Sequence, residues 1–198
     1  MYKEIAITDI DNWAKEVYGE WSQKCIEYFD RLYMVDSSIV NPVKLYAGYT
    51  YRDINHQLRT PNAELLIDNS ELIRQLRMLI VSAPRIPEDI VVYRWVMPHV
   101  LDDIISAENT PYCEKAFLST TLDPFIVKRS DVLNENFKLL KINVKKDTYA
   151  AYVDLMQRRN EKELIFLDEC YLRFTGEVEK NKDLHCKQYI VNLVDFRI

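Results

Sequence analysis

Large apolar side chains recur with two different periods along the chain, and the change between the periods predicts the fold class. After Thr8-Asp9-Ile10-Asp11, which resembles a capping box, the apolar positions follow helical spacing. They are Trp13, Val17, Trp21, Cys25, Tyr28, Phe29 and Leu32. Such an aromatic stripe is typical of core packing. Two further helices are predicted, over residues 51–59 and from about residue 70 to residue 80, with Pro84 and Pro87 after the second.

From Ile90 onward, short apolar runs rich in strand-forming residues replace the helical pattern. The predicted strands cover residues 90–96, 115–121, 138–144, 163–167, 171–178 and 189–196. Helices that come first and antiparallel strands that follow predict an α+β fold. The sequence shows no internal repeat, low-complexity run or linker, so a single domain over residues 1–198 is predicted.

Composition excludes several classes of function. The net charge is −5 and no basic run occurs, which argues against a nucleic-acid partner. No apolar run reaches the length of a membrane span. The three glycines are scattered, which excludes the phosphate loop and the dinucleotide fingerprint. The four cysteines are widely spaced, and the three histidines do not join them at zinc spacing, so we predict reduced cysteines and no metal.

Two glutamates, Glu161 and Glu163, stand where a charged segment runs into the predicted strand 163–167. Residues i and i+2 of a strand share a face, so both carboxylates are expected to project side by side. Two close carboxylates repel each other, and the pKa of at least one of them should rise. The pair is either a solvated strand edge or a site for a cation or a polar ligand, and partners elsewhere in the chain must decide.

Other polar residues stand where such partners are needed. Arg94 interrupts an apolar strand, so its guanidinium must reach water, pair with a carboxylate or face a cleft. Ser119-Thr120-Thr121 ends the next predicted strand, either for β-propensity or to hydrogen-bond a carboxylate. On the helix 51–59, Tyr51, Asn55 and Arg59 fall close to one face, which spacing alone assigns to the surface.

Taken in order, these motifs resemble the arginine–serine–glutamate class of mono-ADP-ribosyltransferase toxins. The matching elements are an arginine in an aromatic-flanked strand, Phe-x-Ser-Thr-Thr, and Glu-x-Glu before an apolar strand. The segment from Tyr51 to Arg59 is also similar to one in the clostridial Rho-modifying exoenzymes and the actin-modifying binary toxins. The resemblance covers nearly all of the chain. It implies two packed antiparallel sheets, with helices on the N-terminal side and an NAD cleft between the sheets.

The resemblance also implies roles for individual residues. Arg94 would hold the phosphate and ribose of NAD, and Ser119 would orient Glu163 by a hydrogen bond. Glu163 would bind the nicotinamide ribose and stabilise an oxocarbenium-like transition state, which is glycoside chemistry. Glu161 would position and deprotonate the acceptor, and a glutamate here goes with arginine acceptors in the family. The implied NAD-binding residues are Arg94, Trp95, Tyr51, Asn55, Arg59, Thr120, Phe125 and Arg129.

The sequence therefore predicts an NAD-dependent protein ADP-ribosyltransferase that uses no metal. Its predicted partners are NAD and a protein acceptor of a host cell, with no nucleic acid and no membrane. We expect a toxin or effector that reaches the host cytosol without a recognisable signal peptide. Two alternatives remain: an NAD glycohydrolase that gives ADP-ribose to water, and a catalytically silent binding module on the same fold. The sequence does not indicate the oligomeric state.

The chain departs from the pattern of its relatives at three places. Thr121 stands where serine is usual, and Trp95 follows the key arginine where the relatives usually carry glycine or arginine. The residues that precede Glu161 lack the aromatic of the target-recognition loop and are basic instead, so an acidic patch on the acceptor protein is expected.

Overall fold

A computed structural model of the chain describes residues 1–61, 67–107, 110–126, 137–157 and 159–194. The α-helices in these ranges are Ile10–Val35 (α1), Pro42–Leu45 (α2), Tyr51–Arg59 (α3), Ser70–Ser82 (α4) and Pro98–Ser106 (α5). The strands are Ile90–Val96 (β1), Tyr112–Glu114 (β2), Leu118–Thr121 (β3), Lys138–Val144 (β4), Ala150–Tyr152 (β5), Glu163–Phe166 (β6), Cys170–Asn181 (β7) and Cys186–Val194 (β8). None of the described helices is both long and apolar enough to span a bilayer.

Apart from α5, which follows β1, the described helices come first and mostly antiparallel strands follow, which confirms the predicted α+β class. The long apolar stripe of α1 packs as predicted: Trp13 is buried, while Trp21 and Phe29 lie half-buried against the same core. The capping box does not form, since Asp9 precedes the helix without a side-chain cap bond. At the start of α4 the N-cap residue Asn69 makes no side-chain cap bond either, and Asp68, one residue earlier, accepts the Ser70 N–H with its Oδ1 at 2.9 Å.

The strands form one continuous sheet in the order β2-β7-β8-β4-β1-β3-β6-β5, and only the β4–β8 pairing is parallel among those described. The described strands therefore form one sheet, where two separate packed sheets were expected. Strand β1 meets β3 through a single residue pair, Tyr93 with Thr121, although it pairs with β4 along its whole length. Two halves of the sheet thus join at a narrow junction, and the site lies beside it.

The strand predicted over residues 115–121 forms only at its C-terminal end, as β3, and the short strand β2 that precedes it was not predicted. The Glu114 carboxylate accepts the N–H of Ala116 at 3.1 Å, which turns the chain between the two strands. Helix α5 and strand β5 were not predicted. For α5 a signal was present, because Pro98 stands in its first turn.

The two faces of the sheet carry different side-chain clusters. Alternation along β1 places Ile90, Val92 and Val96 in the main core with the helices. The intervening residues Val91 and Tyr93 belong to a second, smaller cluster on the opposite face. The even-numbered positions of β1 therefore face helix α3 and the site, and the odd-numbered positions face the other side of the sheet.

Candidate active site

Three strands bring an arginine, a serine and a glutamate together beside the β1–β3 junction. Arg94 lies on β1, on the face that packs against the helices, and its Nη1 donates to the Ser119 carbonyl at 3.2 Å. Thr121 is in register with Glu163, so Ser119 and Glu163 are diagonal neighbours on β3 and β6. The Ser119 hydroxyl donates a hydrogen bond to Glu163 Oε1. The residues that sequence reasoning singled out separately thus converge.

The carboxylate of Glu163 is buried, and its surroundings perturb its acidity. Burial, which penalises the charged form, is the main cause that raises the pKa of Glu163 from an ordinary 4.5 to about 7. The hydrogen bond from Ser119 acts in the opposite direction, and the nearby charges of Glu161 and Asp154 raise the pKa further. A buried carboxyl that titrates near neutral pH, held by a hydroxyl, is typical of a functional group.

Glu161 does not lie on the strand that carries Glu163. Strand β6 begins at Glu163, and Lys162 takes a left-handed conformation (φ 53°), so the expectation of two carboxylates on one strand face is wrong. The physical reason is that side chains from other segments hydrogen-bond the backbone of this turn. Asp154 Oδ2 accepts the Lys162 N–H at 2.7 Å, and the Thr121 hydroxyl donates to the Glu161 carbonyl at 2.7 Å. Glu161 remains close enough for its charge to raise the pKa of Glu163.

The turn leaves Glu161 partly exposed, beside a guanidinium of its own chain. Arg159 Nε lies 3.6 Å from Glu161 Oε1, and the Arg159 guanidinium also donates to the Ala47 carbonyl. Asn160 adopts a left-handed conformation (φ 57°) between them. The carboxylate therefore sits at the rim of the site, where an incoming side chain can reach it.

Helix α3 supplies further polar groups to the same region. Arg59 and Arg94 share the carboxylate of Glu114, which is buried at the end of β2. Asn55 exchanges hydrogen bonds with the Tyr46 hydroxyl at 3.3 and 3.4 Å. Burial is the main cause that raises the pKa of Tyr46 to about 12, and the charges of Glu163, Arg94 and Arg59 all act on this hydroxyl. Sequence reasoning missed both Tyr46 and Glu114.

A signal for these two residues was weak in the sequence. Tyr46 precedes Asn55 by nine positions across a kink at Gly48, so no regular helical spacing links them. Glu114 is followed by a lysine, and two adjacent charged residues are typical of an exposed turn. Only the fold shows that its side chain is buried and faces two arginines.

Other predicted NAD-binding residues do not join this group. Trp95 follows Arg94 on β1 and therefore points to the opposite face, where it packs with Phe125 in the second cluster. Trp95 Nε1 donates to the Pro124 carbonyl at 3.3 Å. The side chains of Trp95 and Phe125 therefore lie across the sheet from Arg94, and a contact of either residue with NAD stays a prediction.

Three further predicted residues remain. The Thr120 hydroxyl is buried and donates to the Leu164 carbonyl at 2.9 Å, so it ties β3 to β6. Tyr51 is half-buried, and its hydroxyl accepts from Arg52 Nε at 3.1 Å. Arg129 lies outside the described residues. Within the described ranges, no group of three or more histidine, cysteine or acidic side chains could hold a metal ion.

Solved structures share this fold over almost the whole chain. Plx2a, an ADP-ribosyltransferase toxin from Paenibacillus larvae, superposes with a TM-score of 0.73 at 16% identity, covering 98% of this chain and 100% of that one. The C3 exoenzyme of Clostridium limosum gives 0.71 at 15% identity, covering 98% of each chain. C3stau2 from S. aureus, determined with NAD, gives 0.69 at 18% identity, covering 98% of this chain and 99% of that one. The predicted ADP-ribosyltransferase-like fold is thereby confirmed.

A family profile matches almost the whole length of the chain. The profile of the ADP-ribosyltransferase exoenzymes matches residues 10–197, so the chain belongs to this family. The predictions of family and of enzyme class are both confirmed: the chain is an ADP-ribosyltransferase. No curated protein matches the chain in sequence.

Proposed function

We propose that this enzyme transfers ADP-ribose from NAD to an arginine side chain of a host protein. The observation that carries the proposal is the buried Glu163, which is bonded to the Ser119 hydroxyl, while Arg94 donates to the Ser119 carbonyl and Glu161 lies at the rim. In the reaction the bond between nicotinamide and ribose breaks, and a bond from ribose to a guanidinium nitrogen forms. Nicotinamide leaves with the bonding electron pair, and the guanidinium gives up one proton.

Arginines of the site suit the diphosphate of NAD. Contacts within the described residues use two of the five N–H groups of Arg94 and two of Arg59. The remaining N–H groups are donors for phosphate oxygens, to which planar guanidiniums bind well. Asn55 lies on the same helix as Arg59, one turn earlier, and would line the NAD cleft from the helical side. That a family relative was determined with NAD supports the choice of this donor.

Glu163 acts on the ribose carbon at which the bond breaks. Positive charge develops there as nicotinamide leaves, and an ionised carboxylate in a buried site stabilises that charge strongly. The hydrogen bond from Ser119 favours the ionised form and fixes the direction of the carboxylate. No general acid is needed, since nicotinamide is released as a neutral group from a cationic one. The proposed reaction therefore needs no histidine among the described residues of the site.

Glu161 serves the acceptor. A guanidinium has a pKa above 12 and must lose a proton as it attacks, so a carboxylate near the incoming nitrogen is required. Glu161 is partly exposed, and the guanidinium of Arg159 already lies 3.6 Å from it. That contact supports an arginine acceptor, because it is of the kind that an incoming arginine would make.

Two features support a protein acceptor in a host cell. The chain belongs to a family of exoenzymes, which favours a secreted toxin that acts on another cell's proteins. The basic residue Arg159 stands at the rim beside Glu161, and a basic rim favours an acidic patch on the acceptor.

The test uses NAD labelled in its adenylate part, incubated with the enzyme and a host-cell lysate. Mass spectrometry of labelled proteins is expected to find ADP-ribose on arginine. Glu161→Gln should lose this labelling but still release nicotinamide. Labelling that persists in Glu161→Gln, or that falls on another residue type, contradicts the proposed acceptor. Rapid NAD consumption without any labelled protein would identify a glycohydrolase instead.

A further inference from the structure

A single buried carboxylate joins the two arginines of the site. Glu114 lies at the end of β2, and its side chain is 4% exposed. Its Oε1 accepts from Arg59 Nε at 3.0 Å, and its Oε2 accepts from Arg59 Nη2 at 3.1 Å. Arg94 Nη2 donates to the same Oε2 at 3.2 Å. The three residues come from β2, α3 and β1, so the cluster is built by the fold and not by local sequence.

Electrostatics explains why this cluster needs an acid at its centre. Two guanidiniums that share one oxygen atom repel each other, and an intervening carboxylate offsets that repulsion. Removing one partner from a buried charged cluster leaves the others uncompensated, which is costly. The bidentate contact also fixes the plane of the Arg59 guanidinium, since two parallel N–H bonds allow little rotation.

The cluster of Glu114, Arg59 and Arg94 can still bind an anionic ligand. One carboxylate and two guanidiniums leave a net charge of +1, and the Arg59 and Arg94 side chains are 43% and 19% exposed. Glu114 itself is buried behind them. A ligand therefore meets the arginines while the acid stays beneath.

We propose, on the basis of the proposed function, that Glu114 is a positioning residue for NAD binding. It holds Arg59 and Arg94 at the separation that lets both grip one diphosphate, and it does not touch NAD. The ADP-ribose half of NAD contains that diphosphate. The affinity for free ADP-ribose therefore depends on Glu114 as much as the affinity for NAD does.

The test is Glu114→Gln, which keeps the shape of the side chain and removes its charge. The dissociation constants of both NAD and ADP-ribose, measured by calorimetry, should rise about tenfold or more, because the two guanidiniums lose the charge-assisted bonds that fix their separation. The inference requires this loss of position to outweigh the added attraction of the uncompensated positive charge for the diphosphate. At saturating NAD, kcat for nicotinamide release should stay within about threefold of the wild type, since Ser119 and Glu163 are untouched.

A matched control distinguishes positioning from general stability. Asp168 is another buried acid, 4% exposed, that pairs with Arg77. It lies five residues beyond Glu163, past the far end of β6. Asp168→Asn should lower the melting temperature and leave both dissociation constants unchanged. Glu114→Asp keeps the charge but withdraws the carboxylate by about 1.5 Å, so its dissociation constants should fall between those of wild type and Glu114→Gln.

Several outcomes overturn the inference. The inference is wrong if Glu114→Gln folds and binds ADP-ribose with wild-type affinity. It is also wrong if Glu114→Gln loses most of its kcat while its affinities for NAD and ADP-ribose stay unchanged. If Glu114→Gln does not fold, wild-type affinity in Glu114→Asp overturns it. If the wild-type enzyme binds neither NAD nor ADP-ribose, the proposed function itself fails, which is a distinct result.

Discussion

Replacing Glu163 by glutamine is expected to stabilise the protein above neutral pH while it removes the activity. Glutamine keeps the shape of the side chain and can still accept the Ser119 hydrogen bond. It removes a negative charge that is buried and surrounded by the like charges of Glu161 and Asp154. The site therefore holds a group whose ionised form the folded state disfavours, and removing that group should relieve the cost.

The magnitude follows from the pKa of Glu163. Burial, opposed by the Ser119 hydrogen bond, raises this pKa from about 4.5 to about 7, which corresponds to about 3 kcal/mol. Below pH 4.5 the carboxyl is protonated in both the folded and the unfolded state, so it causes no loss. Between pH 4.5 and 7 the unfolded state ionises first, and the wild type loses stability as the pH rises. Above about pH 7 the loss is complete and constant.

The assay is denaturant unfolding of wild type and Glu163→Gln at a series of pH values from 4 to 8.5. The variant should be more stable by about 3 kcal/mol at pH 8, and the difference should vanish near pH 4. Glu177→Gln, which removes an exposed carboxylate on β7, is the charge-matched control and should differ from wild type by less than about 0.5 kcal/mol. Parallel curves for wild type and Glu163→Gln across the whole pH range would refute the argument.

Substitutions at three other positions provide separate tests. Ser119→Ala removes a hydrogen bond that lowers the pKa of Glu163, so the midpoint of kcat/KM against pH should move above 7; an unmoved or lower midpoint contradicts this. Trp95→Phe should lower the melting temperature but leave the NAD dissociation constant unchanged, because Trp95 packs across the sheet from Arg94; weakened NAD binding would show that the face was assigned wrongly. Asn160→Val should cost about 1–2 kcal/mol of unfolding free energy and Asn160→Gly much less, since φ is 57° there; equal losses would argue against strain.

Local pattern was enough to predict the elements that carry the site. The helix over residues 51–59 and the strands over residues 90–96 and 138–144 have the predicted bounds, because hydrophobic period and breaking residues act over a few positions. The order of the motifs led to the enzyme class. The convergence of Arg94 with Ser119 followed from the resemblance, not from the pattern, since strand order is not written in local periodicity.

Contacts between distant segments decided the rest. The left-handed Lys162, which separates Glu161 from the strand of Glu163, is held by the carboxylate of Asp154. Strand alternation sends Trp95 and Arg94 to opposite sides of the sheet, but alternation alone does not say which side lines the site. Glu114 is buried only because α3 and β1 bring arginines to it, and no neighbour in sequence indicates this.

Nicotinamide release from NAD, measured for wild type and Glu163→Gln at pH 8, tests the central claim most directly. Calorimetry of NAD binding to both proteins accompanies it, so that a loss of rate is not mistaken for a loss of binding. The wild type should release nicotinamide, and Glu163→Gln should be slower by about a hundredfold or more while its NAD dissociation constant stays within about fivefold. A variant that releases nicotinamide at the wild-type rate would contradict the role of Glu163 and, with it, the active site described above.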